Sequence, residues 1–266
     1  MSGYVTSKDG TRIALDRLGE GPPLILIAGM FCDRRALQPM AELLSSEFCV
    51  FNYDRRARGD SEDTKPYAAE REIEDLAALI AGAGGTATVY GHSSGAGVAL
   101  RAAAAGLPIS KLILHEPPYG PDDEDSKQQA RELAEGIQIA ISKDRRADAI
   151  RLFLEASGMP AEMAEGASRD PNMLAISPTM PYDLEIMGTG EGGPIPEEVV
   201  RSISVPTLVI AGTASPQFFR DTAARIVVLL PAGTYSELEG QNHSPVAEAS
   251  APIVSDFLTS SSLKVG

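Results

Sequence analysis

Gly91-His92-Ser93-Ser94-Gly95 constrains this chain more than any other stretch, because it separates an apolar run, Thr86 to Tyr90, from a small-residue helical run, Ala96 to Ala105. That arrangement predicts a strand, a sharp turn and a helix, with a serine at the corner. The turn cramps the backbone at Ser93, and Gly91 and Gly95 bring no side chain to collide with it. The hydroxyl is then held outward. Free N–H groups and the positive end of the helix dipole favour negative charge at the same point. A plain Gly/Ser loop would also contain these five residues, but it does not account for the strand before them and the Ala/Gly-rich helix after them. Ser93 is therefore the candidate nucleophile.

The flanking sequence repeats the same strand-then-helix rhythm. Strands are expected at Thr11 to Leu18, Leu24 to Ala28, Phe48 to Tyr53, Thr86 to Tyr90, Lys111 to His115, Thr207 to Ala211 and Tyr235 to Leu238. Helices are expected at Arg34 to Leu44, Ala69 to Ala81, Gln217 to Leu229 and Val246 to Leu258. From Pro117 to about Ser204 the rhythm breaks into helices alone: Lys127 to Ile141, Arg145 to Ser157, Ala161 to Ala167 and Pro196 to Ile203, joined by Pro/Gly loops. Alternation of this kind implies an α/β fold, a mostly parallel sheet flanked by helices, with ligands beyond the carboxyl ends of the strands. With 266 residues and 43% hydrophobic content, the chain should bury roughly 70–75% of its unfolded surface.

Charge and cysteine content narrow the partners. A formal net charge of -14 disfavours nucleic acid and anionic membrane surfaces, which need clustered Lys and Arg. Acidic tracts such as Asp122-Asp123-Glu124-Asp125 read as solvated surface. Cys32 and Cys49 are too few for a disulfide framework, nothing near Met1 resembles a secretory signal, and no apolar run reaches membrane-spanning length. The expectation is a soluble, cytoplasmic protein acting on a small molecule, with a homodimer left open.

The strand order, the elbow and the helical insertion together resemble the α/β-hydrolase fold over nearly the whole chain. The resemblance implies a core of residues 1–117 and 205–266 and a helical cap, 118–204, inserted after the sixth strand. A serine hydroxyl needs a base, and there are only three histidines. His92 lies inside the elbow, where consecutive side chains diverge, and His115 ends a strand. His243, in Gly240-Gln241-Asn242-His243-Ser244, stands after the last strand, where this fold delivers its base. Most members take the orienting acid from the end of the seventh strand, but here that corner reads Ala211-Gly212-Thr213-Ala214-Ser215-Pro216, without a carboxylate. Asp221 falls well into the next helix. Some α/β-hydrolases take the acid from the sixth strand instead, and Glu116 stands there, in His115-Glu116-Pro117-Pro118; the competing reading of Glu116 is a structural group bonding backbone N–H. The family's oxyanion hole implies main-chain donors at Ser94 and at Met30, in Ala28-Gly29-Met30-Phe31. Tyr53-Asp54-Arg55-Arg56-Ala57-Arg58-Gly59-Asp60-Ser61 resembles a family loop whose usual role is structural.

Within the family, three features resemble the zearalenone lactonases. These are His115-Glu116-x-Pro118, the acid-free Gly212-Thr213-Ala214-Ser215-Pro216 corner followed by Phe218-Phe219, and a similar length. Those enzymes hold an aromatic ring with a cap tryptophan, whereas this chain contains none, and Tyr182 is the nearest aromatic in the corresponding region. Five of eight methionines, Met159, Met163, Met173, Met180 and Met187, fall in the expected cap. A polarizable lining would suit an apolar substrate, and ordinary helix packing explains methionine equally well. The candidate substrate contacts are Gly29, Phe31, Tyr182, Met180, Met187 and Met159. The expected chemistry is cleavage of an ester or lactone through an acyl-enzyme, needing neither metal nor organic cofactor. Carbon–carbon cleavage, cyclisation or perhydrolysis on the same residues, and ligand reception without turnover, stay open. Dehalogenase and epoxide hydrolase chemistry are disfavoured, since those members use a carboxylate nucleophile where this elbow has Ser93.

Overall fold

The apolar runs become the buried strands of one eight-stranded sheet in the computed structural model, which describes residues 1–244 and 246–260. The strands are β1 (Ser2–Thr6), β2 (Arg12–Leu18), β3 (Pro23–Ile27), β4 (Cys49–Tyr53), β5 (Ala87–His92), β6 (Ile109–His115), β7 (Thr207–Gly212) and β8 (Gly233–Leu238), ordered β1-β2-β4-β3-β5-β6-β7-β8. Pairing is antiparallel at β1/β2 and β2/β4 and parallel elsewhere.

The central strands carry no polar face because helices cover both sides. Alternation along β3 sends Ile25 and Ile27 to one side, packed with Leu76 and Leu79 of α2 (Ala69–Gly82), Val98 and Leu100 of α3 (Ser94–Ala104) and Ile226 of α10 (Gln217–Leu229). Leu24 and Leu26 face the other way, toward Met40 and Leu44 of α1 (Gln38–Leu44) and Ala251 and Val254 of α11 (Ala247–Thr259). Each such fully buried Leu or Ile stabilises the fold by about 1.5–3 kcal/mol.

Between β6 and β7 run only helices: α4 (Glu124–Ser142), α5 (Arg146–Ala156), α6 (Ala161–Ala167), α7 (Pro171–Ile176), α8 (Met180–Ile186) and α9 (Glu197–Arg201). A parallel bridge between Gly120 and Pro194 closes the base of this insertion. Its own cluster of Ile137, Ile150, Met180 and Leu184 packs on Met30 and Phe31, in the loop after β3. Of the expected core segment, residues 245 and 261–266 lie outside the described residues.

Three elements escape the sequence reading. β1 is an edge strand with alternating half-buried positions and only two apolar side chains, Tyr4 and Val5, so its pattern is weak. α7 and α8 begin at Pro171 and at Met180-Pro181, which read as breaks. Proline is tolerated in the first helical turn, where its missing N–H would be unpaired anyway, and the Asp170 carboxylate caps α7 by accepting from the Asn172 and Met173 N–H groups.

Candidate active site

β5 ends at His92 and α3 starts at Ser94, leaving Ser93 at φ 55°, ψ -125°. Positive φ is costly for a residue with a Cβ and persists only where the surroundings impose it. Here the Ser93 N–H donates to the His115 carbonyl (2.9 Å), and the Ser93 carbonyl accepts from the Ala96 N–H (2.9 Å). A Cβ at Gly91 would stand 2.4 Å from the Gly95 carbonyl oxygen, and one at Gly95 would stand 2.4 Å from that of Ile27. The glycines of the motif are thus required by close backbone approach.

His243 Nε2 lies 3.1 Å from Ser93 Oγ, and its Nδ1 lies 2.6 Å from Glu116 Oε2. Glu116 is fully buried with φ 49°, and its N–H donates to the Ile210 carbonyl of the neighbouring strand (2.9 Å). Its other oxygen, Oε1, accepts from the Gly212 N–H (2.7 Å) and the Ser215 hydroxyl (2.6 Å). Burial alone would raise the Glu116 pKa, but hydrogen bonds from His243, Ser215 and Gly212 outweigh it and hold the carboxyl below its ordinary range. The acid-free β7 corner therefore still holds the Glu116 carboxylate, through Ser215 and a main-chain N–H. Asp221 instead accepts from Gln217 (2.9 Å), and Asp183 is committed to Arg55 and Arg58.

The loop after β3 lies directly against the elbow: a Cβ on Gly29 would stand 2.8 Å from Ser93 Cβ. Among the described residues, neither the Met30 N–H nor the Ser94 N–H has a hydrogen-bond partner. Ser94 is the first residue of α3, where N–H groups are unpaired by construction. Two unpaired donors beside a serine–histidine pair can take up an oxyanion.

A strained serine, a base within hydrogen-bond reach and a buried carboxylate behind it stand on a sequence whose residues 24–255 match the profile described as the alpha/beta hydrolase family. The chain belongs to that family. An α/β hydrolase from Sphaerobacter thermophilus is similar at 43% identity, with a TM-score of 0.86 and coverage of 97% of this chain and 100% of the other. An esterase from Rhodococcus sp. (23% identity, TM-score 0.70, 97% of both chains) and an enol-lactonase from Burkholderia xenovorans (23%, 0.67, 97% and 100%) share the fold.

Not every candidate contact of this α/β hydrolase reaches the site. Gly29 does, and Phe31 follows it half-buried at φ 60°, its ring edge-on to Phe153 at 5.6 Å. Met180 is fully buried within the insertion, packed with Met30 and Phe31. Tyr182 turns elsewhere: its ring stacks on Tyr67 at 3.6 Å and its hydroxyl donates to Asp63 (2.8 Å). Met187 belongs to the sheet core, over Gly97 of α3, because the small residues of α3 leave a slot that a flexible side chain fills. Met159 sits half-buried after α5, and no contact among the described residues brings it to Ser93, His243 or Glu116.

His92 and Ser215 gain roles that the sequence reading did not assign. His92 does not diverge from the site; its Nε2 lies 2.8 Å from the His243 carbonyl oxygen, which makes this ring nitrogen the donor and steadies the loop that carries His243. Burial first, then the nearby His243 and His115, push the His92 pKa well down, so the ring is neutral. Three histidines in so short a list of titratable candidates, two of them beside the elbow and the acid, are the signal that could have raised this. Phe219 stacks on His243 at 4.4 Å. No cluster of three or more His, Cys, Asp or Glu side chains among the described residues is arranged to hold a metal, and no helix among them is long and apolar enough to cross a membrane.

Proposed function

We propose that this protein is a serine hydrolase cleaving a carboxylic ester or lactone of a mostly apolar small molecule, with Ser93 as nucleophile, His243 as base and Glu116 as orienting acid. The observation that carries the reading is the chain of contacts Ser93 Oγ to His243 Nε2 (3.1 Å) and His243 Nδ1 to Glu116 (2.6 Å). His243 takes the Ser93 proton as Oγ attacks the carbonyl carbon, and Met30 and Ser94 N–H groups receive the oxyanion. The imidazolium returns the proton to the departing alkoxide; in a lactone that alcohol stays attached to the acyl group. Water, deprotonated by His243, then adds to the acyl-enzyme and releases the acid and Ser93. No step calls on a metal or organic cofactor. The helical insertion acts as a cap, and Phe153 from it, Phe31 in the loop after β3 and Phe219 stacked on His243 supply apolar surroundings. Lactones are the first substrates to try, because the acid at the end of β6 is where the zearalenone lactonases carry theirs; the names of the esterase and enol-lactonase with this fold agree with the chemistry. The protein is expected to work in the cytoplasm on a free small molecule.

The test is Ser93→Ala with a matched chemical probe. The variant should fold normally and lose at least ~10³-fold in kcat on p-nitrophenyl butyrate. A fluorophosphonate should label wild type once, at Ser93, and leave His243→Ala unlabelled. Turnover of Ser93→Ala within tenfold of wild type, or labelling elsewhere, sinks the reading.

A further inference from the structure

Behind the two oxyanion donors lies a buried ion cluster to which the triad gives no task. Asp183, on α8 of the insertion, holds one guanidinium on each oxygen: Arg55 Nη1 at 2.6 Å on Oδ1 and Arg58 Nη2 at 2.6 Å on Oδ2. Oδ1 also accepts from the Ser94 hydroxyl (2.6 Å), and the same hydroxyl accepts from Arg55 Nη1 (3.1 Å). Arg55, Arg58, Asp183 and Ser94 are each 2% exposed or less. The second edge of Arg55 is taken by Glu72 of α2, at 2.6 and 2.7 Å. Arg58 Nη1 donates to the Gly29 carbonyl oxygen at 2.7 Å.

That last bond acts on the oxyanion hole by covalent geometry. The carbonyl of Gly29 and the N–H of Met30 belong to one planar trans peptide, in which oxygen and hydrogen point in opposite directions. Fixing the oxygen on Arg58 therefore fixes where the Met30 N–H aims. A cation on the carbonyl also polarises the peptide, making its N–H a better donor. The other donor, the Ser94 N–H, belongs to the residue whose hydroxyl is tied to Asp183. One carboxylate from the insertion thus reaches both donors through one intervening group each. Burial would push the Asp183 pKa up, but Arg58 and Arg55, with hydrogen bonds from Arg58 and Ser94, hold it below the ordinary range, so the cluster stays charged at neutral pH. Stability is a poor reason for such a cluster, since buried ion pairs are often matched or bettered by apolar packing.

We infer that Asp183, Arg55 and Arg58 are positioning residues of the oxyanion hole, and that the seating of α8 sets the aim of the Met30 and Ser94 N–H groups. This rests on the hydrolase reading above, in which those groups receive the oxyanion.

The experiment compares Arg58→Met and Ser94→Ala with wild type, using kcat and KM on p-nitrophenyl butyrate and the inhibition constant of phenylboronic acid. Boron bound to Ser93 places a negatively charged tetrahedral centre at the hole, so with Ser93 and His243 unchanged, a difference in its affinity between variants reports on the donors. Arg58→Met should lose ~10–100-fold in kcat and a matching factor in boronate affinity, with KM within threefold and an unchanged pH profile, since the base is untouched. Arg58→Lys, which restores charge but not the fork, should recover part of the loss. If Arg58→Met does not fold, Ser94→Ala removes one hydroxyl and no charge, and carries the same expectation. A folded variant whose boronate affinity stays within threefold of wild type overturns the inference. A wild type that neither turns over esters nor binds the boronate overturns the hydrolase reading, and this inference with it; an active, boronate-sensitive wild type with indifferent variants overturns this inference alone.

Discussion

Glu116→Gln exchanges one carboxylate oxygen for an NH₂ group inside a fully buried site, and the surrounding donors dictate which oxygen is lost. The Gly212 N–H at 2.7 Å can only donate, so the amide oxygen must occupy the Oε1 position, where Ser215 also donates. The NH₂ then faces His243 Nδ1 at the 2.6 Å position. Its N–H donates into Nδ1, which moves the ring proton to Nε2, the atom facing Ser93 Oγ. In that tautomer His243 cannot accept the serine proton. Flipping the amide would set NH₂ against the Gly212 N–H, leaving a buried donor unpaired at a cost of ~1–3 kcal/mol. The variant also loses the negative charge that stabilises the imidazolium. Together these predict a ~10³–10⁴-fold fall in kcat, equivalent to about 4–5.5 kcal/mol of barrier. Initial rates on p-nitrophenyl butyrate, with circular dichroism to verify folding, measure it. Ser215→Asp in the same background returns a carboxylate to the β7 corner and should recover at least ~tenfold. Activity of Glu116→Gln within tenfold of wild type, with Ser93→Ala dead, would refute the reasoning and leave Glu116 as a structural acceptor for Gly212.

Three further outcomes follow from the same contacts. His115 is fully buried, and burial pulls its pKa down to about 4 against the opposing pull of Glu116. Between about pH 6.5 and 4 the unfolded chain therefore takes a proton that the native site refuses, so stability falls as pH falls through that window, by about 3 kcal/mol. Urea unfolding at pH 7 and pH 4 should show this loss, and His115→Gln should remove that part of it; an identical pH dependence in the variant would contradict the assignment. Gly29→Ala places a methyl 2.8 Å from Ser93 Cβ and should slow fluorophosphonate labelling by ~10²-fold without unfolding the protein; an unchanged rate would show that the loop does not press on the nucleophile. Tyr182→Phe keeps the stack on Tyr67 and loses the bond to Asp63. It should lower the melting temperature by ~2–4 °C and leave KM within twofold; a tenfold change in KM would return Tyr182 to the substrate site.

The elbow was legible because everything that makes it is local. A short apolar run before Gly91, a helix-forming run after Gly95 and two glycines around a serine lie within about twenty residues, and each leaves a pattern in the sequence. The central strands were legible for a related reason: helices on both faces demand unbroken apolar runs, as in Leu24 to Ala28. The resemblance to the α/β-hydrolase fold, with only three histidines and no carboxylate in the β7 corner, pointed to His243 and Glu116 as candidates. Whether they meet was a tertiary matter, since His243 lies 150 residues from Ser93 and 127 from Glu116, and parallel register between β5, β6 and β7 sets the strand ends side by side. The failures have the same origin. Tyr182 lies in, and Met187 ends, a seven-residue helix whose pattern does not say which face meets the core, and the pairing of Asp183 with Arg58, 125 residues away, leaves no periodic trace. Backbone period is written by neighbours in the chain, whereas the direction of a side chain is decided by what packs against its element, and only the assembled sheet and insertion supply that.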